Sequence, residues 1–316
     1  MKSILPALLV LLTLSQHCLA ADPAAKPYAT LEELRTKYQD PGGHVAVING
    51  VEVYYKDEGR GPAILLIHGS QSTLRTWDRI APILVKRYRV IRFDIPPQGL
   101  SGRVSDELAA RLQPTDIPEG LLAQLGVNRI TCVGVSSGGT LAVQLAAKRP
   151  DLVERLILSN TPSDPVKTDH MKQSAEFVAA QREARETGFQ SQKFWNLFLN
   201  YFSGDPSRLD QGIREQYYDF NRRGPEKNYL AFVGLVANHE RAVAAMNAVQ
   251  APTLLIWGGS DQLLVPASAD VLAGYLTNTQ VSKVFMPDVG HYPPLEAPQR
   301  FAQLLSAYIE AATPQH

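Results

Sequence analysis

Cysteine is almost absent: of 316 residues only Cys18 and Cys132 carry a thiol. No set of disulfides can hold this chain, so its stability has to come from a buried core. An excess of charge of one sign is missing too. Lysine plus arginine and aspartate plus glutamate number 31 each, which leaves no electrostatic footprint for nucleic acid, an anionic membrane or an acidic substrate. No two histidines stand at i, i+3 or i, i+4 and cysteine supplies no ligand set, so no metal site is expected. Glycine-rich phosphate loops of the Walker or Rossmann type are also lacking, and no cofactor is expected. A small-molecule substrate is the expected partner.

Long apolar runs are confined to the N-terminus. There Lys2 precedes residues 4–14, Ile-Leu-Pro-Ala-Leu-Leu-Val-Leu-Leu-Thr-Leu, and Cys18-Leu-Ala20 brings small residues before a cut. The run falls short of the ~20 residues that span a bilayer. It predicts a signal peptide over 1–20, an exported protein, periplasmic or secreted, and no stable membrane insertion after cleavage. Cys18 would leave with the leader, and Cys132, inside an apolar run, reads as a buried structural thiol.

What is present is ordinary globular composition, 45% hydrophobic and 20% charged, enough for a sizeable core. Residues 21–43 are small, polar and helical at best, and read as a surface lead-in. Residues 44–55 then carry two β-branched segments around Asn49-Gly50, a strong hairpin signal. After them come six short, dense apolar runs, at 63–67, 88–93, 129–133, 153–158, 253–257 and 282–286. Such runs suit strands covered on both faces. Amphipathic stretches at 77–86, 119–125, 139–148 and 298–309 lie between them. The alternation predicts an α/β fold: a mostly parallel, eight-stranded sheet with helices on both faces. Residues 165–249 carry helical periodicity alone and predict an inserted cap over the carboxyl ends of the strands, leaving 44–164 and 250–316 as the core.

One turn in this pattern carries chemistry. Gly134-Val-Ser-Ser-Gly138 joins an apolar strand to a helix, and a sharp strand-to-helix turn needs minimal side chains two before and two after the turning residue. Gly134 and Gly138 satisfy that for Ser136, whereas centring on Ser137 would put Val135 at a flank. Ser136 is the candidate nucleophile, with the helix N-terminus behind it facing a developing oxyanion. A serine needs a base, and the base an orienting acid. Of seven histidines only His291 lies just past a late strand. Asp261, past the preceding strand, is the acid; Asp164, after the strand at 153–158, is the rival, read rather as a cap or surface residue.

These stretches together resemble the α/β-hydrolase fold family: Leu66-Ile-His-Gly-Ser70, Phe93-Asp-Ile-Pro-Pro-Gln-Gly-Leu-Ser101, the Gly134–Gly138 turn, Trp257-Gly-Gly-Ser-Asp261 and Gly290-His291, in that order. The resemblance covers 44–309 apart from the cap. It implies a cap-bearing serine hydrolase with Ser136, His291 and Asp261 as triad and the backbone N–H groups of Ser70 and Ser137 as oxyanion hole, His68 and Gly69 supporting the loop. It implies cleavage of a carboxylic ester or related acyl bond through an acyl-enzyme. Carbon–carbon hydrolysis, lactone opening and lyase chemistry also occur on this fold, and a non-catalytic binding protein is a further alternative. Two stretches depart from the family pattern, Asp94-Ile-Pro-Pro-Gln-Gly99 and Val135. In the cap, the aromatics of 194–202 read as cap core more than substrate wall, and His239 as a surface residue.

Overall fold

The computed structural model describes residues 28–224 and 239–311. The expected signal peptide, the first part of the lead-in and residues 225–238 of the expected cap lie outside them. Eight strands form one sheet: β1 (Gly43–Ile48), β2 (Val51–Gly59), β3 (Ala63–Ile67), β4 (Arg89–Phe93), β5 (Ile130–Val135), β6 (Val153–Ser159), β7 (Thr253–Gly258) and β8 (Val281–Met286). Their order is β1-β2-β4-β3-β5-β6-β7-β8. β1 and β2 pair antiparallel with Ile48 opposite Val51. Asn49 and Gly50 between them both hold positive φ, 51° and 87°, as the two-residue hairpin turn requires. β2 also runs antiparallel to β4, and every pair from β4 through β3, β5, β6 and β7 to β8 is parallel.

The dense apolar runs serve two cores at once, because alternate residues of a strand face opposite ways. Leu65, Ile67, Cys132, Leu255 and Trp257 point to one layer. Ile64, Leu66, Val133, Leu254 and Ile256 point to the other. All positions of β5 and β7 are buried. The edge strands β1 and β8 are half open, since each has a neighbour on one side alone. The first layer is covered by the helices Asp116–Gln124, Ser137–Lys148 and Ala267–Tyr275, the second by Ala81–Leu84 and Pro298–Ala311.

Two segments differ from expectation. Within 28–43, expected as a surface lead-in, Thr30 and Glu33 form a reciprocal capping box that starts the helix Leu31–Tyr38. Its Leu34 is buried with Tyr54, Leu74, Leu100 and Phe220, tying this segment to both core and cap. The helix His239–Ala248, inside the expected cap range, packs on the helix Ser137–Lys148 and places Met246 in the main core. The cap proper consists of Ala175–Thr187, Gln192–Phe202 and Gln211–Asn221, each N-capped by a side chain (Ser174, Ser191, Asp210). Their shared core is aromatic, Phe177, Phe194, Trp195 and Phe198 among others, and it reaches Tyr292 and Leu295 beyond β8. No helix among the described residues is long and apolar enough to cross a membrane.

Candidate active site

Parallel strands aim their carboxyl ends one way, so the loops after β3, β5, β6, β7 and β8 gather on a single edge of the sheet. At the end of β5, Ser136 takes φ 52° and ψ −129°. A non-glycine residue held there costs about 1–3 kcal/mol and persists only if its surroundings enforce it. They do. A Cβ on Gly134 would lie 2.5 Å from the Gly138 carbonyl oxygen, and one on Gly138 would lie 2.2 Å from that of His68. A third glycine is needed too, since a Cβ on Gly139 would meet the Thr161 hydroxyl oxygen at 1.9 Å. The Ser136 N–H donates to the Ser159 carbonyl at 2.9 Å, anchoring the turn to β6.

The loop after β3 lies against this turn: a Cβ on Gly69 would approach that of Ser136 to 3.0 Å. The Ser70 and Ser137 hydroxyls are hydrogen-bonded at 2.7 Å, which pins the two loops together. Among the described residues, neither the Ser70 nor the Ser137 backbone N–H donates to a protein acceptor. His68 is fully buried. Its Nε2 accepts the Ile95 N–H at 2.9 Å, which leaves Nδ1 as the donor to the Gly69 carbonyl at 2.8 Å. The ring is thereby a neutral brace between two loops.

Burial pushes the His68 pKa down from 6.5 to about 4. A lowered folded value means stability that is complete above about pH 6.5 and lost as pH falls through about 4, some ~3 kcal/mol across the window. Asp94 pulls the opposite way: burial raises its carboxyl from 3.8 to about 6, so its contribution is present at low pH and lost as pH rises. The difference between wild type and His68→Gln isolates the histidine. Urea unfolding free energies at pH 7.5 and 4.5 are expected to fall more steeply for wild type than for the variant; equal slopes would refute the assignment.

Asp94 itself organises the loop that departs from the family pattern. Its carboxylate accepts the N–H groups of Leu74 and Leu100, each at 2.7 Å. Gly99 holds φ 57°, and a Cβ there would sit 2.1 Å from that carboxylate.

At the ends of β7 and β8, Asp261 and His291 meet. His291 Nδ1 donates to Asp261 Oδ2 at 2.7 Å, both side chains being buried. Asp261 also accepts Asn160 Nδ2 on Oδ2 at 2.6 Å and the N–H groups of Leu263 and Leu264 on Oδ1 at 2.7 and 3.1 Å. With Nδ1 committed as donor, the imidazole keeps Nε2 as its basic nitrogen. Asp164 lies elsewhere: it bonds Ser163 and Tyr275 and stands 3.5 Å from His239 Nδ1. It caps no helix, since the first cap helix takes Ser174.

Two residues that the sequence reading passed over hold this pair. Asn160, fully buried just past β6 with φ 42°, donates to Asp261 and accepts the Gly258 N–H at 3.1 Å. Glu296, also buried, accepts Gly290 N–H on Oε1 at 2.9 Å and the Gly204 and Asp205 N–H groups on Oε2 at 2.9 and 3.1 Å. Burial raises its carboxyl above the ordinary range while those donors pull it back. The His291 N–H adds a bond to the Phe202 carbonyl at 2.7 Å. The histidine loop is thus fastened to the end of a cap helix. A polar residue just beyond a buried strand, and a glutamate five positions after His291, were the available signals.

Ser136, Ser70 and His291 line one cavity of about 60 Å³, whose other walls include Val135, Phe198, Phe202, Leu263 and Tyr292. Phe198 and Phe202 therefore belong to the cap core and to the cavity wall at once. His239 is not among the lining residues. Burial raises the Cys132 thiol, as expected of a structural cysteine. Among the described residues no group of three or more His, Cys, Asp or Glu side chains could hold a metal ion.

Comparison with known proteins matches a family profile, the alpha/beta hydrolase fold, to residues 62–298. A 2-hydroxymuconate semialdehyde hydrolase of a Pseudomonas species is 27% identical over 281 residues, 85% of this chain and 94% of that protein. A pimeloyl-[acyl-carrier protein] methyl ester esterase of Nitrosomonas europaea is 26% identical over 260 residues, 81% of this chain and 98% of that protein. Among solved structures, an enol-lactonase from Burkholderia xenovorans superposes with a TM-score of 0.66 at 22% identity, covering 84% of this chain and all of that one.

Proposed function

The chain belongs to the α/β-hydrolase fold family, and from that premise we propose that it is an exported serine hydrolase cleaving a carboxylic ester or related acyl bond. One observation carries the reading: a strained serine, a histidine held by a buried carboxylate and Ser70, whose backbone N–H is uncommitted, line one cavity, with the uncommitted N–H of Ser137 next in sequence to that serine. In the proposed reaction Ser136 Oγ attacks the substrate carbonyl as His291 Nε2 takes its proton. The Ser70 and Ser137 N–H groups receive the charge that develops on the carbonyl oxygen, which is where such donors lower a barrier most. Asp261 stabilises the imidazolium and keeps its orientation. The protonated His291 then gives its proton to the leaving alcohol, and water activated by the same nitrogen releases the acid and restores the serine.

A second reading is hydrolysis of a carbon–carbon bond at the same serine; the name of the semialdehyde hydrolase favours it only in that its substrate, an acid with an aldehyde, carries no ester. One experiment separates them. Fluorophosphonate labelling followed by peptide mass mapping is expected to modify Ser136, and p-nitrophenyl esters from acetyl to decanoyl are expected to turn over with a short-chain optimum, in keeping with the narrow cavity. Labelling of Ser136 without ester turnover would shift the reading to carbon–carbon or lactone substrates. No labelling of folded protein would overturn both.

A further inference from the structure

A second and larger cavity, about 230 Å³, opens beside the first and shares Gln71, Ser72, Thr76 and Tyr217 with it. Polarity changes across that shared wall. The nucleophile's side is lined by valine, leucine and aromatic rings, whereas the far side, between residues 73–79 and the cap helix Gln211–Asn221, presents Thr73, Arg75, Arg79, Gln216 and Asn221. Asn221 Nδ2 donates to the carbonyls of Gln71 and Tyr217, each at 2.8 Å, and so ties together two of the residues that both cavities share.

The charges of this cavity do not all cancel one another. Asp78 is shared between Arg75 and Arg92, and Asp210 caps the helix at the Ile213 N–H, 2.9 Å away, on one oxygen and keeps its charge at the cavity's opposite rim. Arg79 is different. Its Nη1 donates to two carbonyls, Arg208 at 3.1 Å and Leu295 at 3.0 Å, and no carboxylate among the described residues lies within ion-pair distance of it. Two backbone carbonyls orient a guanidinium but do not neutralise it. The Gln216 side chain makes no hydrogen bond to the protein among the described residues.

We propose that this second cavity receives the alcohol portion of the substrate, and that the alcohol carries an anionic oxygen group, phosphate or carboxylate, held by Arg79 and Gln216. The inference rests on the ester-hydrolase reading for which end of the substrate lies where. A short acyl group fills the narrow apolar cavity at Ser136, the scissile bond crosses the wall at Gln71 and Thr76, and the leaving alcohol lies in the polar cavity beyond. Arginine suits such an anion because its planar fork bonds two oxygens at once.

The test compares three esters of one acyl group, 1-butanoylglycerol, 1-butanoylglycerol 3-phosphate and 4-butanoyloxybutanoate, in wild type, Arg79→Gln and Gln216→Ala. Arg79→Gln is expected to lower the ratio of kcat/KM for an anionic ester to that for the neutral one by about tenfold, mainly through KM. The anion with the larger loss identifies the group. An unchanged ratio in both variants would overturn the proposal. Calorimetry of glycerol 3-phosphate and of 4-hydroxybutanoate with Ser136→Ala, with and without Arg79→Gln, reads the cavity without turnover. Binding that Arg79→Gln abolishes supports the subsite even if no ester is cleaved, a result that would sink the esterase reading alone. Absence of binding at millimolar concentration overturns the subsite even if p-nitrophenyl butanoate is a good substrate.

Discussion

Ser136→Ala is expected to abolish p-nitrophenyl butanoate hydrolysis, a loss of about 10⁵-fold or more in kcat, and Asp261→Asn to lower it by about 10⁴-fold. The second figure follows from hydrogen-bond polarity. Asp261 accepts from four donors, two on each oxygen. An asparagine has one accepting oxygen, so its amide N–H₂ must face either the Leu263 and Leu264 N–H groups or His291. Turned toward His291, it makes Nδ1 the acceptor and puts the ring proton on Nε2, where it blocks proton abstraction from Ser136. Turned the other way, it opposes two backbone donors. Asn160→Ala leaves three donors on the carboxylate and is expected to cost about tenfold. Asp164→Asn, which touches none of these groups, should stay within about twofold of wild type. Circular dichroism and thermal midpoints establish that each variant folds. Retained turnover in Asp261→Asn together with its loss in Asp164→Asn would refute the acid assignment.

Much of this arrangement was legible because its physical causes are local. The elbow could be read from Gly134 and Gly138, whose missing side chains are demanded by backbone contacts to residues near in sequence or on the adjacent strand. The parallel strands were visible as dense apolar runs because each face of β5 and β7 packs in a different core. Their ends were less so: Gly134 and Val135 proved to lie within β5, and β7 runs on to Gly258. Asn160 and Glu296 showed only their position, just past a strand and just past His291, and not their role, because their significance lies in partners 101 and 92 positions away. No local period or spacing marks such contacts. The burial of the helix Leu31–Tyr38 was hidden for a related reason: its own sequence is mostly polar, and the single Leu34 acquires meaning only against Phe220 and Leu74. The helix His239–Ala248 had the right type but the wrong layer, since helical periodicity says which face is apolar and not what that face meets.

Glu296 is where the cap and the loop that carries His291 are one structure. Its two oxygens take the N–H groups of Gly204 and Asp205 from the cap and of Gly290 from the histidine loop, while the His291 N–H reaches the Phe202 carbonyl. Contact is too close there for any side chain, because a Cβ on Gly290 would lie 2.4 Å from that same carbonyl oxygen. In Glu296→Gln the amide N–H₂ replaces one accepting oxygen and opposes at least one of these donors. Leaving a buried donor unpaired costs about 1–3 kcal/mol. The thermal midpoint should therefore fall by about 2–12 °C, at ~2–4 °C per kcal/mol. Glu296→Ala orphans all three donors and should fall further. Activity is expected to fall with stability, but in a particular way. Phe202 both lines the cavity and accepts the His291 N–H, so a loosened junction shifts base and cavity wall together. Glu296→Gln should then lower kcat by about tenfold and raise KM for the longer p-nitrophenyl esters more than for the acetate. A lower midpoint with the wild-type chain-length profile intact at 20 °C would make Glu296 a purely structural strut. A midpoint within a degree of wild type would mean that the three N–H groups find other acceptors, and the coupling of the cap to the His291 loop would have to reside in the His291–Phe202 bond alone.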